Sequence, residues 1–144
     1  MTKEQKLLQE MLTHKNIAKT PSAFERIADL LEWNEEIERT EEIESGHSLR
    51  VAYLSKKLAE RLQLDIEAQI EIYFAALFHD IGKHCISKEI IGKRGRLTDE
   101  EFDIIKTHCQ KSEEILNGIL NENIIAIIKE HHERIDGSGY PNDD

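Results

Sequence analysis

Five of the seven histidines, together with one aspartate, lie where apolar helical stripes end, and both residue types are ligands for divalent metal ions. These six residues are His47, His79, Asp80, His108, His131 and His132. Adjacent residues on a helix point about 100° apart, because a helical turn takes about 3.6 residues. Neighbours such as His131 and His132 can therefore reach two different ions in one cleft, with Asp80 as a shared carboxylate. This pattern predicts a two-metal hydrolytic site.

The predicted ligand set combines imidazole with carboxylate and contains no cysteine, which suits iron, manganese or zinc better than calcium or copper(I). Two such ions, about 3.5–4 Å apart, would bind a bridging water and clamp the attacking and leaving oxygens of a phosphoryl group. A buried polar network is the alternative interpretation, because clustered imidazoles and an acid can also satisfy one another. His14 and His84 belong to no pattern, so we interpret them as ordinary core or surface residues.

The composition limits the class of protein that can carry this site. A chain of 144 residues is one domain by length, and its net charge of −10 argues against binding to duplex nucleic acid. The first residues are too polar for a signal peptide, and no apolar run approaches the ~20 residues of a membrane span. The two cysteines form no CxxC pair, which favours reduced thiols. We therefore expect a soluble, cytoplasmic protein.

The elements that must position the site are all predicted to be helical. Hydrophobic periodicity and capping signals predict helices over about 3–18, 21–33, 43–62, 66–78, 98–108, 111–120 and 122–134, and no strand. Residues 34–45 either continue the second helix or form a solvated connector. Val51, Leu54 and Leu58 share one predicted core face with His47, and Gly82 is predicted to end the helix that begins at Ile66.

Four segments of the sequence resemble one known family. Residues 79–83 (HDIGK) are similar to the HDxGK core of the HD phosphohydrolases, and residues 131–141 (HHERIDGSGYP) to the signature of their HD-GYP subfamily. Residues 97–108 (LTDEEFDIIKTH) and the segment HSLRVAYLS, which starts at His47, also resemble that subfamily. HDxGK alone is a weak signal, whereas its combination with HHExxDGxGYP at this spacing is highly specific. The resemblance covers about residues 43–141.

This resemblance implies an all-α, HD-domain-like bundle of about six to eight helices with two or three divalent metal ions. It implies iron or manganese, with zinc as an alternative, and hydrolysis of cyclic di-GMP or a related cyclic dinucleotide to a linear dinucleotide or GMP. Carried over by position, the metal ligands would be His47, His79, Asp80, His108, His131 and His132. Asp80 would bridge the ions and act with Lys83 in catalysis. The implied substrate-binding residues are Lys83, Gly139, Tyr140 and Pro141.

The sequence departs from the family pattern in three places. Ile43 stands where some members with three metals carry a glutamate, so a site with two metals is expected. A further aspartate ligand that follows GYP in the family has no counterpart before Asp144, so either the domain is incomplete at its C-terminus or the protein lacks that ligand. Residues 1–42 resemble no common sensor domain. We interpret them as a helical N-terminal extension of the metal-binding domain at 43–144, packed on its core or paired with a second copy.

Three other functions stay open at this stage. The domain could be a catalytically weak nucleotide-binding or regulatory module, an HD phosphohydrolase of another nucleotide, or a bundle used only for dimerisation. The partners that the resemblance implies are a cyclic dinucleotide and a protein of the diguanylate-cyclase type that contacts the GYP loop. A homodimer is an alternative assembly.

Overall fold

Helices account for the regular structure in the computed structural model of the chain, which describes residues 1–41, 46–93 and 95–129. Its α-helices are α1 (Lys3–Met11), α2 (Ile27–Thr40), α3 (His47–Arg61), α4 (Ile66–Leu77), α5 (Lys88–Ile91), α6 (Asp99–Lys106), α7 (His108–Leu116) and α8 (Glu122–Lys129). Short 3₁₀-helices lie at Lys15–Ile17, Ala23–Arg26 and Ile81–Cys85. The described ranges contain no strand beyond one isolated bridge, so the predicted all-α class is confirmed.

Side-chain caps begin two of these helices as the sequence predicts. The Asp65 carboxylate accepts a hydrogen bond from the Ala68 N–H at 2.8 Å, at the start of α4. Thr98 and Glu101 form a capping box at the start of α6, in which each side chain accepts from the other's backbone N–H. These bonds satisfy amide groups that a helix leaves without an internal partner in its first turn. Both predicted helix starts are therefore confirmed.

Other predicted boundaries are wrong because hydroxyl groups compete for the helical carbonyls. The Thr13 hydroxyl donates to the Glu10 carbonyl at 2.7 Å, and α1 ends at Met11 rather than continuing to residue 18. In the same way the Thr107 hydroxyl donates to the Ile104 carbonyl at 2.6 Å, between α6 and α7. Helix α7 thus begins at His108 and not near residue 111.

The predicted helix over 21–33 lies later in the chain. The Thr20 hydroxyl oxygen accepts from the Ala23 N–H at 3.1 Å, but the turn that follows is a 3₁₀-helix and α2 begins only at Ile27. Helix α2 then runs to Thr40. Residues 34–40 therefore continue the helix, which was one of the two predicted alternatives.

Helix α4 forms the centre of the hydrophobic core. Its aromatic residues Tyr73 and Phe74, and Phe78 just after it, are fully buried. Helices α3 and α8 both pack against α4. None of the helices in the described ranges combines the length and the hydrophobicity needed to cross a membrane.

The predicted core face of α3 is wrong. Leu54 and Leu58 are 65% and 59% exposed, whereas Ala52 and Ala59 on the same helix are buried. Ala52 and Ala59 are seven residues apart and so lie on one face of the helix. Small side chains at a helix contact let two backbones approach closely, so α3 packs through its alanines and turns its leucines outward.

The N-terminal segment is joined by backbone hydrogen bonds to the connection between α7 and α8. The Lys19 N–H donates to the Ile119 carbonyl at 2.8 Å, and the Asn121 N–H donates to the Ile17 carbonyl at 2.8 Å. The isolated bridge between Ala18 and Leu120 lies between these two bonds. The first twenty residues are therefore part of the same packed unit as α8.

Tyr73 offers a test of the core, because its buried hydroxyl has no hydrogen-bond partner among the described residues. Burial raises the pKa of this phenol above its ordinary value, so the group stays neutral. An unsatisfied buried hydroxyl costs about 1–3 kcal/mol. We expect Tyr73→Phe to leave the free energy of unfolding unchanged or to raise it by about 1 kcal/mol in urea titrations. Tyr53→Phe, at a half-exposed site, is the control; a clear loss of stability in Tyr73→Phe alone would contradict this reading.

Candidate metal centre

Residues 79–83 (HDIGK), which form part of the site, lie after the end of α4. Helix α4 ends at Leu77, Phe78 to Asp80 form a turn, and the 3₁₀-helix Ile81–Cys85 follows. The prediction that Gly82 ends the helix is therefore wrong, since the helix stops five residues earlier. His79 and Asp80 lie on the turn, where side chains one residue apart can converge instead of diverging as they would on a helix.

A glycine is needed at position 82 because α7 lies very close to the backbone there. A Cβ atom at this position would lie 1.9 Å from the His108 carbonyl oxygen and 2.6 Å from the Ser112 backbone nitrogen. The Gly82 N–H donates to the buried Ser112 hydroxyl oxygen at 2.8 Å. Helix α7, which carries His108, thus lies directly against the backbone that carries Asp80.

Asp80 is the centre of the cluster that results. One carboxylate oxygen, Oδ2, lies 3.1 Å from His79 Nε2 and 3.5 Å from Lys83 Nζ. The other, Oδ1, lies 3.5 Å from His108 Nε2. The structure therefore brings together three of the six predicted metal ligands and the predicted catalytic lysine.

Both histidines in the cluster are oriented by backbone carbonyls. His79 Nδ1 lies 2.6 Å from the Ala76 carbonyl oxygen, and His108 Nδ1 lies 2.8 Å from that of Ile105. A carbonyl oxygen only accepts hydrogen bonds, so each Nδ1 carries the proton. Nε2, the atom that faces Asp80, carries a proton and donates to the carboxylate when the ring is charged, and it carries the lone pair when the ring is neutral. A backbone carbonyl behind each imidazole is the usual support of a metal-binding histidine, and the donor set fits a divalent metal ion.

The electrostatics of the cluster keep Asp80 charged. Burial alone would raise the pKa of Asp80, but the hydrogen bond from His79 and the positive charges nearby hold it well below its ordinary value. Burial would lower the pKa of Lys83, yet Asp80 and Glu41 raise it, so the ammonium stays charged. The pKa of His108 is lowered, chiefly by burial. Burial also acts to lower the pKa of His79, but the hydrogen bond to Asp80, the negative charge of Asp80 and the hydrogen bond to the Ala76 carbonyl together outweigh it, and the pKa is raised.

His47 lies at the first position of α3, after Gly46 in a left-handed conformation with φ of 85°. No hydrogen bond or ion pair within the described ranges joins His47 to Asp80. Likewise, no group of three or more His, Cys, Asp or Glu side chains has metal-holding geometry in that part of the chain. The predicted residues His131, His132, Gly139, Tyr140 and Pro141 lie outside the described residues, so their roles stay predictions.

Two polar residues of α2, and Glu41 at its C-cap, contact the site or the residues beside it and were not singled out from the sequence. The Asn34 side-chain amide donates to the Leu77 carbonyl at 2.8 Å. The Glu38 carboxylate accepts from the N–H groups of Gly46 and Ser48, and Glu41 pairs with Lys83 at 3.0 Å. Their spacing of four and three residues was the available signal, because it places them on one face of a helix.

His84, which the sequence assigned no role, stacks on a helix that borders the site. Its ring lies 4.4 Å from the ring of Trp33, centroid to centroid, with 8° between the planes. Trp33 is on α2, so this contact joins that helix to the 3₁₀-helix that follows Asp80. The sequence interpretation was an ordinary core or surface residue, and the structure places His84 at the surface.

Comparison with known proteins identifies the family of the chain. The sequence matches the family described as HD domain over residues 32–143. It is 40% identical over 96 residues to the 3′3′-cGAMP-specific phosphodiesterase 1 of Vibrio cholerae serotype O1, a match that covers 66% of this chain and 22% of the relative. It is 44% identical over 99 residues to the cyclic di-GMP phosphodiesterase of Thermotoga maritima, covering 66% of this chain and 27% of the relative. The chain thus spans about a quarter of the length of these curated relatives.

Proposed function

Because the chain belongs to the HD domain family, we propose that it carries out metal-dependent hydrolysis of a cyclic dinucleotide, either cyclic di-GMP or 3′3′-cGAMP. The observation that carries the proposal is the Asp80 carboxylate, held between the Nε2 atoms of His79 and His108 beside the Lys83 ammonium. The names of the relatives supply the substrate class. In the reaction, water adds across one phosphodiester P–O bond, and the ring opens to a linear dinucleotide with a terminal phosphate monoester.

The residues that would hold the metal ions are His79, Asp80 and His108 in the described cluster. His47, His131 and His132 would complete the set, as the motifs predict. When bound, two divalent ions would supply positive charge to the phosphoryl oxygens and activate a water molecule. Iron and manganese fit this mixture of nitrogen and oxygen ligands best, with zinc as the alternative.

Lys83 would act on the substrate directly. Its ammonium group is largely buried and stays charged beside two carboxylates. A fixed cation in a poorly solvated site stabilises the negative charge that develops on a phosphoryl oxygen, and it needs no reorganisation during the reaction. Asp80 would keep the metal ions and Lys83 in one fixed arrangement. Gly139, Tyr140 and Pro141 would line the substrate side, as the family signature implies.

The wider setting belongs to the same proposal. Cys85 is an exposed, unpaired thiol, which suits a reducing cytoplasm. A diguanylate-cyclase-type partner at the GYP loop rests on the resemblance alone. The homodimer stays a prediction, because Leu7, Leu8 and Met11 of α1 pack on the hydrophobic core of the chain itself. The regulatory alternative without catalysis predicts binding of the cyclic dinucleotide but no product.

The direct test is turnover with defined metals. We expect the chain loaded with Mn²⁺, or with Fe²⁺ in the absence of oxygen, to convert cyclic di-GMP to a linear dinucleotide. Removal of the metal by a chelator should lower the rate by about 100-fold or more, because the ions supply most of the charge stabilisation. Ion-exchange chromatography of the products, with 3′3′-cGAMP and a linear dinucleotide run in parallel, measures both activity and specificity. Absence of product with every metal would refute the proposal, as would turnover that the chelator leaves unchanged.

A further inference from the structure

We propose that α2 is the positioning helix of the site and acts through one polar stripe, formed by Asn34 and Glu38 on the helix and Glu41 at its C-cap. Glu38 would fix the backbone on both sides of His47, and Glu41 would hold the ammonium group of Lys83. The inference rests on the proposed function, because it assigns a purpose to residues that touch the predicted ligands and the predicted catalytic lysine. None of the three is a predicted metal ligand.

The stripe follows from helical geometry and is too deeply buried to be a solvated surface. Positions 34, 38 and 41 lie within about 60° of one another around a helix with about 100° per residue. Asn34 and Glu38 are only 6% and 7% exposed. Burial of polar groups is costly unless each one is hydrogen-bonded. Each member of the stripe makes such a bond, and every bond goes to a predicted site residue or to a residue one or two positions from one.

Asn34 contacts the end of α4. Its amide donates to the carbonyl of Leu77, the last residue of that helix, at 2.8 Å. The last carbonyls of a helix have no partner within it, so a side chain from another helix can fix the point where the chain turns away. His79 and Asp80 follow two and three residues later. Asn34 therefore sets the starting point of the turn that carries them.

Glu38 supplies the cap that α3 lacks. Gly46 precedes α3 and has no side chain to satisfy the first amide groups of the helix. The two carboxylate oxygens of Glu38 do so from a distance, with Oε1 3.2 Å from the Gly46 nitrogen and Oε2 2.8 Å from the Ser48 nitrogen. A negative charge at a helix N-terminus also interacts favourably with the helix dipole. Because His47 lies between the two bonded residues, its Cα position is fixed from both sides.

Glu41 acts on the other side of the site. Its Oε2 atom lies 3.0 Å from Lys83 Nζ, while Asp80 Oδ2 lies 3.5 Å from the same nitrogen. The ammonium group is thus held between two acids on different elements. If Asp80 also binds metal ions, Glu41 is the group that continues to hold the lysine in place. Loss of Glu41 should therefore weaken the contact between Lys83 and the phosphate of the substrate, and leave the metal ions bound.

The experiment compares three isosteric substitutions, two on α2 and one at its C-cap. Glu38→Gln removes the charge and turns one acceptor into a donor that faces a backbone N–H. Substitution of groups that orient metal ligands typically lowers metal affinity 10–100-fold, so we expect the Mn²⁺ Kd to rise at least about 10-fold, with faster amide exchange at Ser48. Glu41→Gln should keep the wild-type Mn²⁺ affinity but raise KM for cyclic di-GMP by about 10-fold. Glu32→Gln, at an exposed position of α2, is the matched control and should change none of these values.

The outcomes separate the inference from the proposed function. Wild-type Mn²⁺ affinity and wild-type Ser48 exchange in folded Glu38→Gln would overturn the role of Glu38. An equal loss of affinity in Glu32→Gln would overturn the specificity of the stripe, and an unchanged KM in Glu41→Gln would overturn its role. A merely structural stripe would lower the melting temperature without altering the metal affinity of the folded protein. If the wild-type chain binds Mn²⁺ but releases no product, the proposed function fails while the metal and exchange measurements still decide the role of Glu38.

Discussion

Replacing Asp80 with alanine is expected to lower kcat/KM for cyclic di-GMP hydrolysis by about 1000-fold or more, which corresponds to roughly 4 kcal/mol of transition-state stabilisation. The reason is that Asp80 contacts His79, His108 and Lys83 at once, so its loss removes the anion that holds together the predicted metal ligands and the predicted catalytic lysine. Steady-state rates from the chromatographic assay, with the Mn²⁺-loaded protein, provide the measurement.

The same variant should also lose the thermal stabilisation that bound metal provides. A ligand that binds only the folded state raises the melting temperature by mass action, so Mn²⁺ should stabilise the wild-type chain more than Asp80→Ala. Asp103→Ala, at an exposed position of α6, serves as the control and should behave like the wild type in both assays. Retention of a tenth or more of the activity by Asp80→Ala would show that Asp80 is not central to the reaction.

Gly82→Ala should destabilise the folded chain by at least about 3 kcal/mol, at the upper end of the cost of overpacking a core. The added Cβ would meet the His108 carbonyl oxygen at 1.9 Å, so α7 would have to move away from the turn that carries Asp80. That movement would also break the bond from the Gly82 N–H to Ser112. Thermal unfolding should show a decrease in Tm of about 10 °C.

Gly118→Ala is the control that distinguishes the steric contact at Gly82 from the general cost of replacing a glycine. Gly118 has a φ of 89° and open space where a Cβ would stand, so Gly118→Ala carries only backbone strain of about 1–2 kcal/mol. The expected order of stability is therefore wild type, Gly118→Ala and then Gly82→Ala. If Gly82→Ala were as stable as Gly118→Ala, the close packing of α7 on the HDIGK segment would be disproved.

Sequence reasoning succeeded where the physical signal is local. The side chains of Asp65 and Thr98 each bond to a backbone N–H only three residues later, so the starts of α4 and α6 were predictable. The HDIGK and HHERIDGSGYP motifs also predicted the family, and the match to the HD domain family confirms it. The juxtaposition of His79, Asp80 and Lys83 followed from the same short segment.

Features that depend on distant parts of the chain were missed. Leu54 and Leu58 looked like core residues because periodicity shows that a helix has an apolar face, but not which neighbour covers it. The bond from Asn34 to Leu77 spans 43 residues, and no local pattern predicts such a partner. The division of the chain at residues 42 and 43 stays a prediction. All three residues of the polar stripe, Asn34, Glu38 and Glu41, nevertheless lie before that boundary and bond to residues beyond it.

The stacking of Trp33 on His84 gives the chain a built-in optical reporter. Trp33 is the only tryptophan in the sequence, so all indole fluorescence originates at one place. That place is the junction between α2 and the segment that carries Lys83, where the indole faces an imidazole ring at 4.4 Å. Emission from the unlabelled protein therefore reports on the contact between α2 and the 3₁₀-helix that carries Lys83, without interference from any second indole.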